Sequence, residues 1–250
     1  MRFRILPDIE TSAAMQMAID EAILIARVKK QSPGTIRFYS WKPKAITIGY
    51  FQSLKKEVDE KKAKVLGIDV IRRYTGGGAV FHDKEITYSI CIGEKTAGID
   101  IIKSYEKICG FIIKGMECLN LKAQFKPIND IIVNGKKISG NAQTRKDGII
   151  LQHGTLLLDV DVNTMFSILK IPDEKIRDKL IENARQRVTS LKQELGKDIS
   201  FTQAKTALIS GFKKTFKAEL KEQELSEFEK AAVKKLFKQK YSTKEWNNQR

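Results

Sequence analysis

The chain has 250 residues, a hydrophobic fraction of 42%, 30% charged residues and a formal net charge of +16. No apolar run approaches the ~18 residues that cross a bilayer, and the N-terminus "MRFRILPDIETS" lacks the apolar run of a secretory signal, so the expected location is the cytoplasm, without membrane contact. Cys91, Cys109 and Cys118 show no C-x-x-C spacing, which excludes a disulfide framework or zinc site and leaves buried, inert thiols.

Taken in chain order, Thr11 and Ser12 offer an N-cap, and Met15, Ala18, Ile19, Ala22 and Ile25 follow at the spacing of an amphipathic helix. "TIRFY" and "AITIG" flank the Pro-containing "SWKPK" and read as two strands joined by a hairpin or short loop. A charged helical stretch over 54–66 precedes the strand "DVIRRY". "EITYSICI" alternates Ile86, Tyr88, Ile90 and Ile92 with Thr87, Ser89 and Cys91, the period of a half-buried strand. A helix over 100–119 carries Ile101, Tyr105, Ile108, Ile112 and Met116 on one side. "DIIV" and "KKIS" are strands joined by the turn signal "NG", and "GIILQHGTLLLDV" is a third. The pattern is helical from Asp161, and Ser226 with Glu229 forms a capping box for the last helix. Hairpin connections in place of regular βαβ alternation predict an α/β (α+β) fold with a mixed, mainly antiparallel sheet flanked by helices, in one domain over 1–250.

Three stretches carry candidate chemistry. "RRYTGGGAVFHD" over 72–83 places consecutive glycines, which cost entropy on folding, between Arg72 and Arg73 on one side and His82 and Asp83 on the other. A tight turn is one use. Backbone N–H groups held against an anion is the other, which the charged flanks favour, although neither G-x-x-x-x-G-K-[ST] nor G-x-G-x-x-G is present. "NDIIVNGKKISGNAQ" over 129–143 brings Lys136 and Lys137 up to Ser139 and Gly140, either as a solvated hairpin tip or, if it lies beside the glycines, as a cation for a reacting oxygen. "LQHGTLLL" sets His153 and Gly154 in an apolar strand. Neither histidine reads as a general base. The positive charge attracts anions, but no Arg-rich or aromatic-interleaved tract accompanies it, so nucleic acid is not the expected partner.

Together these stretches resemble the lipoate-protein ligase A family, whose R-R-x-[TS]-G-G-G-A-V-F-H-D appears without a gap at 72–83, whose N-D and G-x-K-[IV]-S-G appear at Asn129, Asp130 and Gly135 to Gly140, and whose "HGTLLL" appears at His153 to Leu158. The resemblance covers essentially the whole chain and implies the biotin/lipoate ligase-like, class II synthetase-like catalytic domain. It implies ATP-dependent ligation: with Mg²⁺, lipoate or octanoate becomes an acyl-AMP, and the acyl group passes to a lysine of a lipoyl domain, in a 2-oxoacid dehydrogenase E2 or the glycine cleavage H protein. On this expectation Lys137 is catalytic and contacts carbonyl and phosphate oxygens, and Asp130 holds the metal. Gly76, Gly77, Gly78 and Ala79 line the adenylate beside Asn129, with Arg72 near the lipoyl pocket and His82 in its wall. His153, Gly154 and Thr155 border the lipoyl channel, and Arg185 and Arg187 sit on a loop over the nucleotide. The ending "KYSTKEWNNQR" resembles archaeal-type bipartite ligases, which implies a separate accessory subunit in place of a C-terminal accessory domain. Related octanoyltransferases carry the acyl group on a cysteine shortly before the K-I-[AS]-G lysine; "AQFKPINDIIVNG" has none, which favours ligation over ATP-independent octanoyl transfer or a non-catalytic basic module.

Overall fold

The computed structural model describes residues 1–171 and 174–250, the side chains of Glu174, Lys175 and Arg177 excepted. The elements run β1 (Arg2–Ile5), α1 (Ala13–Val28), β2 (Thr35–Tyr39), β3 (Ala45–Ile48), α2 (Leu54–Glu57), α3 (Glu60–Val65), β4 (Asp69–Arg72), β5 (Val80–His82) and β6 (Glu85–Gly93). There follow α4 (Glu94–Ala97), α5 (Ile101–Glu117), β7 (Ala123–Lys126), β8 (Asp130–Val133), β9 (Lys136–Lys146) and β10 (Ile149–Leu157). The chain continues through α6 (Val162–Ile168), α7 (Glu174–Arg187), α8 (Leu191–Leu195), α9 (Phe201–Phe216), β11 (Glu219–Glu222), α10 (Glu227–Leu236), a π-turn over Phe237–Tyr241, and α11 (Lys244–Asn247).

Eight strands form one sheet in the order β11-β1-β2-β6-β10-β9-β8-β7. Its first two pairings are parallel and the remaining five antiparallel, as the hairpin-rich order of the sequence implied. The "NG" hairpin forms as expected, with Asn134 at φ 50° and Gly135 at φ 79°, a turn whose positive φ values match the twist of the flanking strands. Asp147 and Gly148 do the same between β9 and β10. The alternation in β6 divides the two cores. Ile86, Tyr88, Ile90 and Ile92 meet Phe111, Ile112 and Met116 of α5 and Leu208 and Phe212 of α9, while Cys91 joins Ala18, Ala22 and Ile23 of α1. Ile101, expected on the buried stripe of α5, is exposed because it occupies the first turn of that helix, beyond the sheet.

Of the two connections expected between "TIRFY" and "AITIG", the structure has the short loop and not the hairpin: β2 belongs to the large sheet, whereas β3 is the centre of a separate three-stranded sheet ordered β4-β3-β5. β3 runs parallel to β4 and antiparallel to β5 around a core of Ile46, Ile48, Leu54, Val58, Ala63 and Ile168. The charged stretch over 54–66 accordingly breaks into α2 and α3, each with one face on this small core. The glycine stretch is therefore the link between β4 and β5, the two strands flanking β3.

The termini are tied together. The Arg4 guanidinium of β1 donates to both carboxylate oxygens of Glu229 at 2.8 and 2.5 Å, both groups being buried. Glu229 also completes the capping box with Ser226, so one carboxylate both starts α10 and anchors it to the sheet.

Candidate active site

A cavity of about 340 Å³ opens where the small sheet meets β9 and β10. One part of its wall is apolar, from Met17, Trp41, Val80, Leu157, Val162 and Met165. The other is polar, from Gly77, Gly78, Asn129, Lys137, Asn141 and His153. Glycine loop and lysine hairpin, 60 residues apart in the chain, thus face one space.

Lys137 reaches this wall because of the two residues around it. Its Nζ lies 2.6 Å from Asp130 Oδ1 across the β8–β9 pair. The side chain then lies over Gly140, where a Cβ would come within 2.9 Å of both Cε and Nζ. The absence of a side chain at Gly140 is what seats the ammonium. The backbone carbonyl of Lys137 accepts from the Thr189 N–H at 2.8 Å, which fixes Val188 as a further wall of the cavity.

The glycine loop is shaped by an arginine that sequence reasoning passed over in favour of its neighbour. Arg73 is 5% exposed, and its Nη2 donates to the carbonyls of Gly76 and Gly78 at 2.7 and 2.8 Å. Its Nη1 donates to Thr47 and its Nε to Thr75 Oγ1. A peptide's N–H points opposite to its C=O, so the N–H groups of Gly77 and Ala79 point away from Arg73. Gly77 itself has φ 100°, a conformation suited to glycine, and its carbonyl approaches so near Gly49 that a Cβ there would lie 1.9 Å away. Burial pulls the Arg73 guanidinium down to about 10, so it stays charged at neutral pH. Among the described residues no carboxylate lies within 4.0 Å of it. Arg73 is a buried cation compensated only by carbonyl and hydroxyl dipoles, which leaves the loop in front of it attractive to negative charge.

Behind the loop runs a chain of hydrogen bonds. Because the Asp20 carboxylate accepts from His153 Nδ1–H at 3.1 Å, Nε2 is the ring's acceptor and takes the Thr75 hydroxyl proton at 2.6 Å, while Thr75 Oγ1 accepts from Arg73 Nε. Burial lowers the His153 pKa, and the Asp20 carboxylate only partly restores it, so the ring is neutral as this network requires. His153 is an orienting group. His82, in the cavity wall, is held by Glu85 at 2.7 Å and Thr47 at 2.9 Å and stacks on Trp41. The sequence places a histidine in a strand; it does not say which carboxylate from another element will meet it.

Asn129, Gly154 and Thr155 line the cavity, and Gly76 contributes through its carbonyl bond to Arg73. Two expectations need correction. Arg72 is not beside the pocket: its guanidinium donates to the carbonyls of Gly49, Tyr50, Gln52, Trp246 and Asn247, clamping the C-terminal segment. Successive strand residues point to opposite faces, so only one arginine of the pair can serve the loop. Arg185 and Arg187 lie exposed in the last turn of α7, outside the cavity wall, with Arg185 donating to Asn163 at 2.9 Å. Asp130, expected to hold the metal, pairs with Lys137 at 2.6 Å, and among the described residues no three His, Cys, Asp or Glu side chains converge. Trp41, Asn141, Val162, Met165 and Val188 were missed, since each reaches the cavity only through tertiary packing.

Fold and cavity define a domain that sets an apolar slot against a glycine loop and a lysine. Residues 12–213 match the lipoyl protein ligase A/B catalytic domain, and the chain belongs to that family. It is 35% identical to an octanoyltransferase LipM of Clostridioides difficile across 100% of this chain and 99% of that one. It is 33% identical to the octanoyltransferase LipM of Bacillus subtilis, with 96% and 95% covered. Among solved structures it resembles a bipartite lipoate protein ligase, described with its E2 lipoyl domain, from Thermoplasma acidophilum, at TM-score 0.89 and 33% identity over 99% of this chain and 96% of that one. A second Thermoplasma acidophilum structure, with bound lipoic acid, superposes at TM-score 0.83 and 29% identity, 99% of each chain being covered. The likeness to full-length octanoyltransferases overturns the expectation of ATP-dependent ligation and, with it, the support for ATP and Mg²⁺. No helix among the described residues is long and apolar enough to cross a membrane.

Proposed function

We propose that this chain transfers an octanoyl group, without ATP, from the thioester of an acyl carrier protein to a lysine of a lipoyl domain, in the cytoplasm and within a single catalytic domain. The observation that carries the reading is one cavity with an apolar slot at one end and Lys137, the glycine loop and buried Arg73 at the other, in a chain aligned end to end with octanoyltransferases. Burying the seven saturated carbons of the chain among Trp41, Leu157, Val162 and Met165 contributes about 6 kcal/mol, at about 0.8 kcal/mol per methylene.

Acyl transfer puts negative charge on the carbonyl oxygen as the tetrahedral intermediate forms. The Lys137 ammonium and the N–H groups of Gly77 and Ala79 are the donors for that oxygen, with the Arg73 charge behind them. Arg73, Thr75, His153 and Asp20 hold the loop in place beforehand, so no reorganisation is needed when charge develops. Donor and acceptor are proteins of acidic surface under this reading, and the net charge of +16 speeds both encounters in a salt-dependent way.

The test is intact mass of a lipoyl domain after incubation with this chain and octanoyl-carrier protein in the absence of ATP. Gain of one octanoyl group is expected. Modification only when ATP and the free acid replace the carrier protein overturns the proposal.

A further inference from the structure

Thr87 of β6 and His153 of β10 line the cavity, so their neighbours Tyr88 and Gln152 point to the opposite face of the sheet, where Tyr88 packs under α5 and α9. Both are fully buried, and polar groups so deep cost stability unless each is paired. They belong to one relay of hydrogen bonds. Arg145 Nε donates to Gln143 Oε1 at 3.1 Å, and Gln143 Nε2 donates to Gln152 Oε1 at 2.9 Å. Gln152 Nε2 donates to the Tyr88 hydroxyl at 2.6 Å, which donates to Asn141 Oδ1 at 2.6 Å. Asn141 Nδ2 ends the relay by donating to the Asn129 carbonyl at 2.8 Å. Of the five side chains from Arg145 to Asn141, only Asn141 belongs to a residue of the cavity wall.

The relay has a single direction. A guanidinium only donates, so Gln143 turns its oxygen to Arg145 and its NH₂ to Gln152, and the same choice is then forced on Gln152. The Tyr88 oxygen accepts from Gln152, which leaves its proton for Asn141. Burial raises the Tyr88 pKa well above the ordinary value, so the hydroxyl keeps that proton. Tyr88 and Asn141 stand on either side of Gly154 in the strand register. A Cβ on Gly154 would lie 2.2 Å from Asn141 Oδ1 and 2.8 Å from Tyr88 Cε1, so the bond between them passes over a residue that has no side chain.

Where the relay ends, two more bonds clasp the same pair of residues. The Asn141 N–H donates to the Asn129 carbonyl at 3.1 Å, and Asn129 Nδ2 donates to the Asn141 carbonyl. Asn129 immediately precedes Asp130, whose Oδ1 lies 2.6 Å from Lys137 Nζ. We infer that this relay positions Lys137 from behind the sheet: it fixes which way the Asn141 amide faces, the amide seats Asn129 and Asp130, and Asp130 holds the ammonium. Tyr88 and Gln152 are then positioning residues for a reaction they do not touch. The inference rests on the role of Lys137 in the transferase reading above.

Two variants test it. Tyr88→Phe removes one hydroxyl and leaves Asn141 Oδ1 without its donor. Asn141→Asp keeps an acceptor for Tyr88 but sets a carboxylate oxygen against the Asn129 carbonyl. In each, kcat for octanoyl transfer, referred to folded enzyme by circular dichroism, is expected to fall at least about fivefold, within the scale set by ångström misplacement. The KM for octanoyl-carrier protein should not change, because the apolar slot lies on the other face. Labelling of Lys137 by an N-hydroxysuccinimide ester, followed by peptide mass spectrometry, should quicken relative to the other lysines as Asp130 releases the amine. Combined with Lys137→Ala, neither variant should add to the loss. A smaller fall in kcat, a fall matched by a raised KM, unchanged labelling of Lys137, or losses that add overturns the inference while leaving the transferase reading in place. If wild type transfers no octanoyl group without ATP, that reading fails, and the labelling rates alone decide whether the relay seats Lys137.

Discussion

Gly140→Ala separates the stability of this protein from its chemistry. A Cβ at position 140 lies 2.9 Å from Lys137 Cε and Nζ, where ordinary contact is 3.4–4 Å, and 3.9 Å from Asp130 Oδ1. The lysine tip is flexible and must yield, by roughly 0.5–1 Å or by swinging out of the cavity. The backbone has no reason to move, since Gly140 lies in β9 outside the left-handed region, and alanine recovers up to about 0.5–1 kcal/mol of chain entropy there. The expected variant therefore melts at or slightly above the wild-type temperature. Its kcat for octanoyl transfer falls about 100-fold, equivalent to about 2.7 kcal/mol at 1.36 kcal/mol per decade, the scale set by an ångström of misplacement. Calorimetry and transfer kinetics on Gly140→Ala, Lys137→Ala and the double variant check this. The double variant should be no slower than Lys137→Ala, because both changes remove one ammonium. Wild-type kcat in Gly140→Ala, or losses that simply add in the double variant, refutes the seating of Lys137 by Gly140.

Thr75→Val leaves Arg73 Nε and His153 Nε2 without their partner, and about 1–3 kcal/mol should be lost for each in a urea titration; an unchanged midpoint argues against the network. Gly211→Ala drives a Cβ to 2.1 Å from the Phe111 carbonyl oxygen and 2.4 Å from the Gly115 nitrogen, so α5 and α9 must separate, at a cost of about 1–3 kcal/mol or more visible as a lower Tm. Burial alone would raise the Glu229 pKa, but the hydrogen bonds from Arg4 and Ser226 outweigh it and hold it below the ordinary 4.5. Its contribution is therefore complete above pH 4.5 and is lost as pH falls through the depressed value. Glu229→Gln should accordingly cost about 3–5 kcal/mol at pH 7, with the gap to wild type narrowing in acid; a gap that is constant from pH 7 to pH 3 contradicts the pairing.

What the sequence determined by itself is local. The helix at 13–28, the alternation in "EITYSICI", the "NG" hairpin and the capping box at Ser226 each depend on residues within a turn or two of one another, and the structure forms all four. The motifs around Gly77, Lys137 and His153 were legible too, because clustered glycines and a lysine pair are unusual choices for a strand-rich chain. Only the tertiary structure decided what those motifs meet. "RRY" does not reveal that Arg72 turns to the carbonyls of Trp246 and Asn247 while Arg73 turns to the glycine loop, nor does "AITIG" reveal that it will leave the large sheet for a small one. The sign of a side chain's direction depends on register, and register depends on partners far along the chain. The cavity is likewise a product of three separate packings, of α1, of the small sheet and of the segment after α7, and no window of sequence contains all three.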